Sequence, residues 1–342
     1  IKTEWEIGGD FRFFDDKVSL SLTYYDNIIE GILLNVALSP SSGYSTQYGN
    51  YGEMTNNGME IDLGLDLIDT AEFGLSTAIN WSTNENEVTD LFGTESINLS
   101  PGASVSSRAV VGYPLGSLYG TGSQTNPDGS FILNSNGFPQ ITSSPIVLGD
   151  PNPDWRGGIS LSMRYKKFRL NAVLEHSEGG DFSPRTLWVL NRFGTTQETA
   201  NRLTLDQPLV NYRGNTIPAG TTVRGNVRDF GGGPVLLDEN WYRTGIGGGF
   251  GDNQAYNFSI ADATFTKLRD LSLSYVIDTP LVTNIGLSDV IVSVTGRDLI
   301  NINNVEGIDP EINTKGVSVA QGVEYFTNPQ TKGFLVSLTI NY

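Results

Sequence analysis

The sequence contains no cysteine, which rules out disulfide frameworks, thiolate zinc sites, iron–sulfur clusters and thiol nucleophiles. It holds a single histidine, His176, so most metal centres lack ligands and a serine nucleophile would have only one candidate base. Positive charge is scarce, with 21 Lys and Arg against 38 Asp and Glu and a formal net charge of −17. A nucleic-acid partner needs a basic footprint, and the sequence offers none. No stretch approaches the ~18 consecutive apolar residues of a membrane-spanning helix. Ile1 opens directly on an alternating strand, with neither a basic segment nor an apolar signal core, so a fragment or a processed piece is expected.

What is abundant is equally directional. Of 342 residues, 40 are Gly, 14 Tyr and 16 Phe, while only 17% are charged and 38% hydrophobic. Such a β-rich, turn-rich composition permits one all-β domain of this length, spanning 1–342.

Period-two alternation is clearest from Asn57 to Ile68, where Met59, Ile61, Leu63, Leu65 and Leu67 alternate with Glu60, Asp62, Gly64 and Asp66. Similar runs include Val18–Tyr24, Phe73–Trp81, Ile159–Tyr165, Phe168–Leu174, Leu271–Ile277 and Phe334–Tyr342. Several match the ~9–11 residues that a tilted strand needs to cross a bilayer, whereas soluble strands average nearer 5–6. Aliphatics on one face with Ser, Gly, Asn, Thr and charged residues on the other fit a lipid face and a wet lumen. Tyr24, Trp81, Tyr165, Phe168, Tyr275 and Tyr342 near strand ends suit the membrane–water interface.

The pattern predicts roughly nine strands, at about 4–14, 18–30, 57–68, 72–85, 155–165, 168–178, 262–277, 288–298 and 331–342. Tight turns at Asp15–Lys17, Asp69–Ala71 and Lys166–Lys167 alternate with long connections at about 31–56, 86–154, 179–261 and 299–330, the rhythm of short periplasmic turns and long outer loops. The fold class is therefore a transmembrane antiparallel β-barrel. Complete single-chain barrels have even strand numbers with both ends periplasmic, so an odd number of strands is expected to precede Ile1.

Several separated segments carry a family likeness through their order. They are Asn56-Asn57-Gly58-Met59-Glu60-Ile61, Gly112-Tyr113-Pro114-Leu115-Gly116-Ser117-Leu118-Tyr119-Gly120 and Gly149-Asp150-Pro151-Asn152-Pro153-Asp154-Trp155. Thr264-Phe265-Thr266-Lys267-Leu268-Arg269-Asp270-Leu271 with its continuation to Tyr275, Gly296-Arg297-Asp298-Leu299, Gly307-Ile308-Asp309-Pro310-Glu311 and the closing strand complete the set. The chain resembles the SusC/RagA-like TonB-dependent transporters of the Gram-negative outer membrane. The resemblance implies a 22-stranded barrel in outer-membrane lipid, of which this would be the C-terminal part, leaving roughly 13 strands and a plug domain before Ile1. It further implies active import of oligosaccharides or peptides energised through TonB, a SusD-like surface lipoprotein as lid, and dimerisation of barrel–lid pairs. No enzyme activity and no cofactor are expected. A surface glycan-binding or adhesion β-protein and a passive porin are the alternatives.

Substrate contacts are expected among loop aromatics and their polar neighbours, namely Trp188, Trp241, Tyr242 and Arg243, against the plainer expectation that loop aromatics anchor packing. Tyr44, Tyr48 and Tyr51 form a second loop cluster. The prolines of Gly149–Trp155 predict a rigid entry turn, with a calcium site at Asp150 and Asp154 as the alternative; EF-hand spacing is missing. Gly245–Gly251 lacks the spacing of a phosphate cradle and reads as a loop. Phe334, Val336, Leu338, Ile340 and Tyr342 share one face of the last strand, like the signal read by the barrel-assembly machinery.

Overall fold

The computed structural model describes residues 1–100, 104–243, 254–305, 307–314 and 321–342; the Gly245–Gly251 run lies outside them. Nine antiparallel strands form one continuous sheet. They are β1 (Lys2–Phe13), β2 (Val18–Glu30), β3 (Glu53–Asp69), β4 (Phe73–Asp90), β5 (Trp155–Tyr165), β6 (Phe168–Glu178), β7 (Phe265–Ile277), β8 (Asp289–Asn303) and β9 (Gly333–Asn341). Each pairs with its neighbour in sequence, an unbroken up-and-down meander. The sheet is a sector of a barrel wall: β1 and β9 are edges, and the wall is not closed within the chain.

Register fixes the two faces. Ile61, Leu63 and Leu65 stand opposite Leu22, Leu20 and Val18 on one side and Trp81, Ile79 and Thr77 on the other, so the apolar positions form rows across the outer surface. Leu273, Val336 and Leu338 are 49%, 71% and 62% exposed, the exposure that lipid would cover. The inner face carries small polar groups bonded across strands, including Ser293 to Ser274 (2.8 Å), Thr295 to Ser272 (2.9 Å) and Ser162 to Asn171 (3.0 Å). Phe73, Tyr165, Phe168 and Tyr275 are successive register partners on four adjacent strands and form an aromatic girdle at the short-turn end. Trp81 lies eight residues up β4 from Phe73, about 26 Å along the strand, which is the scale of the ~25 Å apolar band.

The structure departs from the expected boundaries mainly at the loop ends. β3 begins at Glu53 and β4 runs on to Asp90, rising well above the apolar band. Apart from Met54 and Val88, their upper residues are polar on both faces, so hydrophobic alternation stops before the ladder does. The Gly112–Leu115 turn supports the extension: Val88 N–H donates to Tyr113 O (2.9 Å) and Leu115 N–H to Asn86 Oδ1 (2.8 Å). A bulge between Asp66 and Ile68 hands the outward position from Leu67 to Ile68. Gly58 has a steric reason for being glycine, because a Cβ there would lie 2.4 Å from Thr83 O and 2.3 Å from the Tyr25 hydroxyl. The turn between β7 and β8 is longer than the other three and carries a short helix, Pro280–Thr283.

The long connections are folded rather than irregular. Ser96–Ser100, Ser106–Val110, Ser117–Gly120 and Ile146–Gly149 make a four-stranded sheet. Phe138, Phe230, Val235, Leu237, Trp241 and Tyr242 form a buried core joining two loops far apart in sequence. A second core of Leu34, Val88, Leu91, Ile97 and Ala109 seats the base of the Leu33–Ala37/Thr46–Asn50 hairpin, while Tyr44 and Tyr48 stay exposed.

The two-faced wall makes adjacent residues respond differently to the same charge. In the full-length protein refolded in lipid vesicles, Leu161→Lys on the outer face is expected to cost about 2–4 kcal/mol in denaturant unfolding. Ser162→Lys on the inner face should cost under about 1 kcal/mol.

Candidate functional site

The loop head stands over the mouth, and two features in it can act chemically. The first is a cleft of about 770 Å³ lined by Arg192, Phe193, Arg224, Glu239, Tyr242 and Arg243, among others. That volume lies within the range of small-ligand sites. Helix α1 (Arg185–Phe193) builds one wall: it starts after Pro184 and stops at Gly194, whose left-handed φ of 70° lets its N–H return to Asn191 O. Arg224 donates to Thr199 O and Gly194 O, tying the helix end to the strand Thr222–Arg224. The short helix Glu239–Arg243 supplies the opposite wall.

Tyr242 and Arg243 meet at this cleft; Trp188 and Trp241 are not among its lining. Tyr242 is buried, its hydroxyl donating to Glu198 Oε1 (2.8 Å) and accepting from Asn226 Nδ2 (2.8 Å). Burial, reinforced by the Glu198 charge, pushes its phenol well above the ordinary range. Arg243 is exposed and paired with Glu239 at 2.5 Å. Trp188 lies half-buried on α1. Trp241 is 3% exposed, with Phe138, Phe230, Phe258 and Tyr212 rings 5.5–6.0 Å away centre to centre, so it is an anchor of the aromatic core. Phe193, 70% exposed on the cleft rim, was not singled out in the sequence; its only signal is its place before a helix-ending glycine.

The second feature is a charge cluster on the inner wall near the mouth. A bulge at Arg269, between Leu268 and Asp270, shifts the alternation, so Lys267 and Arg269 serve the inner side although Leu271 and Leu273, of the same parity, face outward. On the facing strand Asp298 takes a left-handed φ of 50°, which a short polar side chain tolerates. Lys267 Nζ is fully buried and donates to Asp309 Oδ1 (2.8 Å) and Oδ2 (2.6 Å) and to Glu311 Oε2 (2.7 Å). Arg269 pairs with Glu175 (2.6 Å), Asp298 (3.5 Å) and Glu311. Burial acts to raise the Glu311 pKa, but hydrogen bonds from Arg269 and Lys267 outweigh it and hold the carboxyl at about 2.

The Gly149–Trp155 turn is braced by its own side chains. Asp150 Oδ1 accepts from Asn152 N–H (3.0 Å) and Nδ2 (2.7 Å), and Asp150 N–H donates to Asp181 Oδ2 (2.8 Å). Burial raises both carboxyl pKa values, and neighbouring negative charge adds to it. Among the described residues no group of three or more His, Cys, Asp and Glu is placed to hold a metal ion.

An antiparallel meander with an apolar outer face, a small polar inner face and a folded head on one end is a sector of a transmembrane β-barrel. Residues 3–156 match the family model of the TonB-dependent receptor-like β-barrel. A TonB-dependent receptor of Formosa agariphila is 25% identical over 98% of this chain and 34% of its own length. The receptor SusC of Bacteroides thetaiotaomicron is 26% identical over 51% of this chain and 19% of its own. A solved structure of the RagAB peptide transporter superposes on all of this chain and 35% of that one, with TM-score 0.70 and 18% identity. The likeness expected from the motifs holds: the chain is similar to a barrel segment of the SusC/RagA-like TonB-dependent receptors. The chain spans about a third of the length of the first relatives it matches.

Two outcomes follow from this geometry. Trp241→Ala should destabilise the loop head by about 3–5 kcal/mol, whereas Arg243→Ala should leave its stability within about 0.5 kcal/mol, both read by protease susceptibility of the loops. Because the Glu311 pKa is lowered from 4.5 to about 2, its pairing contributes stability above pH 4.5 and loses it as pH falls toward 2. Proteolysis at 307–314 should therefore be unchanged from pH 8 to 5 and rise only in stronger acid.

Proposed function

We propose that this chain is the barrel-forming part of an outer-membrane importer of oligosaccharides or peptides. The observation that carries the reading is the two-faced wall itself, which has a lipid-compatible outside, an inside of small hydrogen-bonded side chains, and connections prefolded into a head at one end only. A soluble sandwich would bury its apolar face under a second sheet, whereas here the outer rows carry exposed apolar residues on every strand but β4, where they are partly exposed. Relatives that are TonB-dependent receptors support the reading, as does the structural likeness to a peptide transporter.

In this reading the remaining strands of a 22-stranded barrel and a plug lie in residues outside the chain, and TonB drives the cycle through them. A SusD-like surface lipoprotein covers the head, with barrel–lid pairs assembling as dimers. Tyr242 and Arg243 contact cargo or lid in the α1 cleft, Trp188 does so from the same helix outside the cleft lining, and Trp241 holds the cleft in shape. Phe334, Val336, Leu338, Ile340 and Tyr342 serve both as lipid face and as the assembly signal.

Uptake by the full-length protein tests the proposal, with fluorescent oligosaccharide and peptide mixtures offered to cells that carry or lack TonB. Uptake of one class that disappears without TonB is the expected result. Uptake that persists without TonB would make the barrel a passive porin, and extraction from membranes without detergent would make it a surface-binding protein.

A further inference from the structure

We propose that residues 307–314 and 321–327, between β8 and β9, form a fixed strut, anchored on Lys267, that holds the larger loops of the head rigidly to the barrel wall. The chain of contacts can be followed atom by atom. At its foot, Lys267 and Arg269 of β7 grip Asp309 and Glu311, and Asn301 of β8 donates to Asp309 Oδ2 (3.1 Å). Gln330, close to β9, reaches both Lys267 and Glu311 at 3.3 Å. The anchored piece is clasped to the next one where Thr314 N–H and Oγ1 both donate to Val323 O, at 2.8 and 3.0 Å.

From there several links reach the other loops. Ser183 N–H donates to Gly322 O (2.7 Å), and Ser183 and Pro184 pair in parallel with Val323 and Glu324. Glu324, 2% exposed, accepts from Thr186 N–H (3.1 Å) and Thr186 Oγ1 (2.5 Å) at the start of α1. Gln321 Nε2 donates to Asn152 Oδ1 (2.9 Å) in the Pro-rich turn. Gly322 sits at φ 80°, and a Cβ there would come within 2.6 Å of Pro151, so the approach to that turn admits no side chain. Phe326 is held at φ 49°, a conformation that bulky residues avoid, with its N–H on Thr186 Oγ1 (2.6 Å). Such strain persists only where the surroundings over-determine it.

Immobility follows from the foot. Opening it would strand a buried ammonium and a buried carboxylate without partners, the situation in which breaking a buried pair is most unfavourable. Among the described residues the Leu33–Ala37/Thr46–Asn50 hairpin has no such tie; its base rests on an apolar core and its tip is exposed. Any widening of this sector of the mouth is therefore assigned to the hairpin, with the strut as its fixed reference.

Amide hydrogen exchange on the full-length, detergent-solubilised barrel at pH 7 tests this without any cargo, so its failure is separable from failure of the import reading. Residues 307–314 and 321–327 should exchange at least tenfold more slowly than the hairpin tip at 38–48. Lys267→Met should speed exchange about tenfold in both pieces and at 181–186 while β5 stays protected, with heat-shifted gel mobility reporting an intact barrel. Should that variant fail to assemble, Glu311→Gln removes one charge at a half-exposed position and should give the same spread of loosening, a few-fold in size. Exchange of wild-type 307–314 as fast as the hairpin tip would overturn the strut. So would loosening in either variant that stays within 307–314.

Discussion

A lysine ammonium with no exposure to solvent sets the terms for the upper part of this wall. Removing such a charge from water costs on the order of several kcal/mol, and only well-placed anions offset it. Asp309 and Glu311 provide them from a loop some forty residues further on, so Lys267 dictates where that loop must lie. The loop in turn touches the start of α1 and the turn before β5. One buried cation thus ties this loop, and through it the start of α1, to the wall.

Below that level the governing constraint is the bilayer. In hydrocarbon every backbone group must find a partner within the protein, which leaves strands of a closed barrel when no spanning helix exists. The meander satisfies this between β1 and β9, which are its two edges. Because side chains alternate, one register decision orients all of them at once, lipid-compatible residues outward and Ser, Thr, Asn and Gly inward. The Arg269 and Leu67 bulges are local exceptions, and the first of them lets the ion cluster form.

The nine strands could be read from the sequence because one face of each is lipid-matched, and period two survives wherever that matching operates. It fails above the band, where Asn56, Asn57, Asn84 and Asn86 satisfy the ladder without any apolar rhythm, so β3 and β4 are longer than their alternation suggests. The head was far less legible. Phe131, Phe138, Tyr212, Phe230, Trp241 and Phe258 are spread over more than a hundred residues with no period, and only folding shows them to be one core. Trp241 and Tyr242, neighbours in sequence, therefore take different parts: one fills that core and the other also lines a cleft. The ordered motifs were visible as likeness, while their common purpose was not, since nothing along the chain says that Lys267, Asp298 and Glu311 converge.

By itself the sequence determined the fold class, the alternation of faces and the number of strands in the wall, because local periodicity and composition answer directly to the solvent on each side of a wall. Tertiary structure alone decided the contacts of the head, the cleft at α1 and the burial of Lys267. Those depend on residues distant in sequence meeting in space, and the free energy of a buried charge exists only once its partners have arrived.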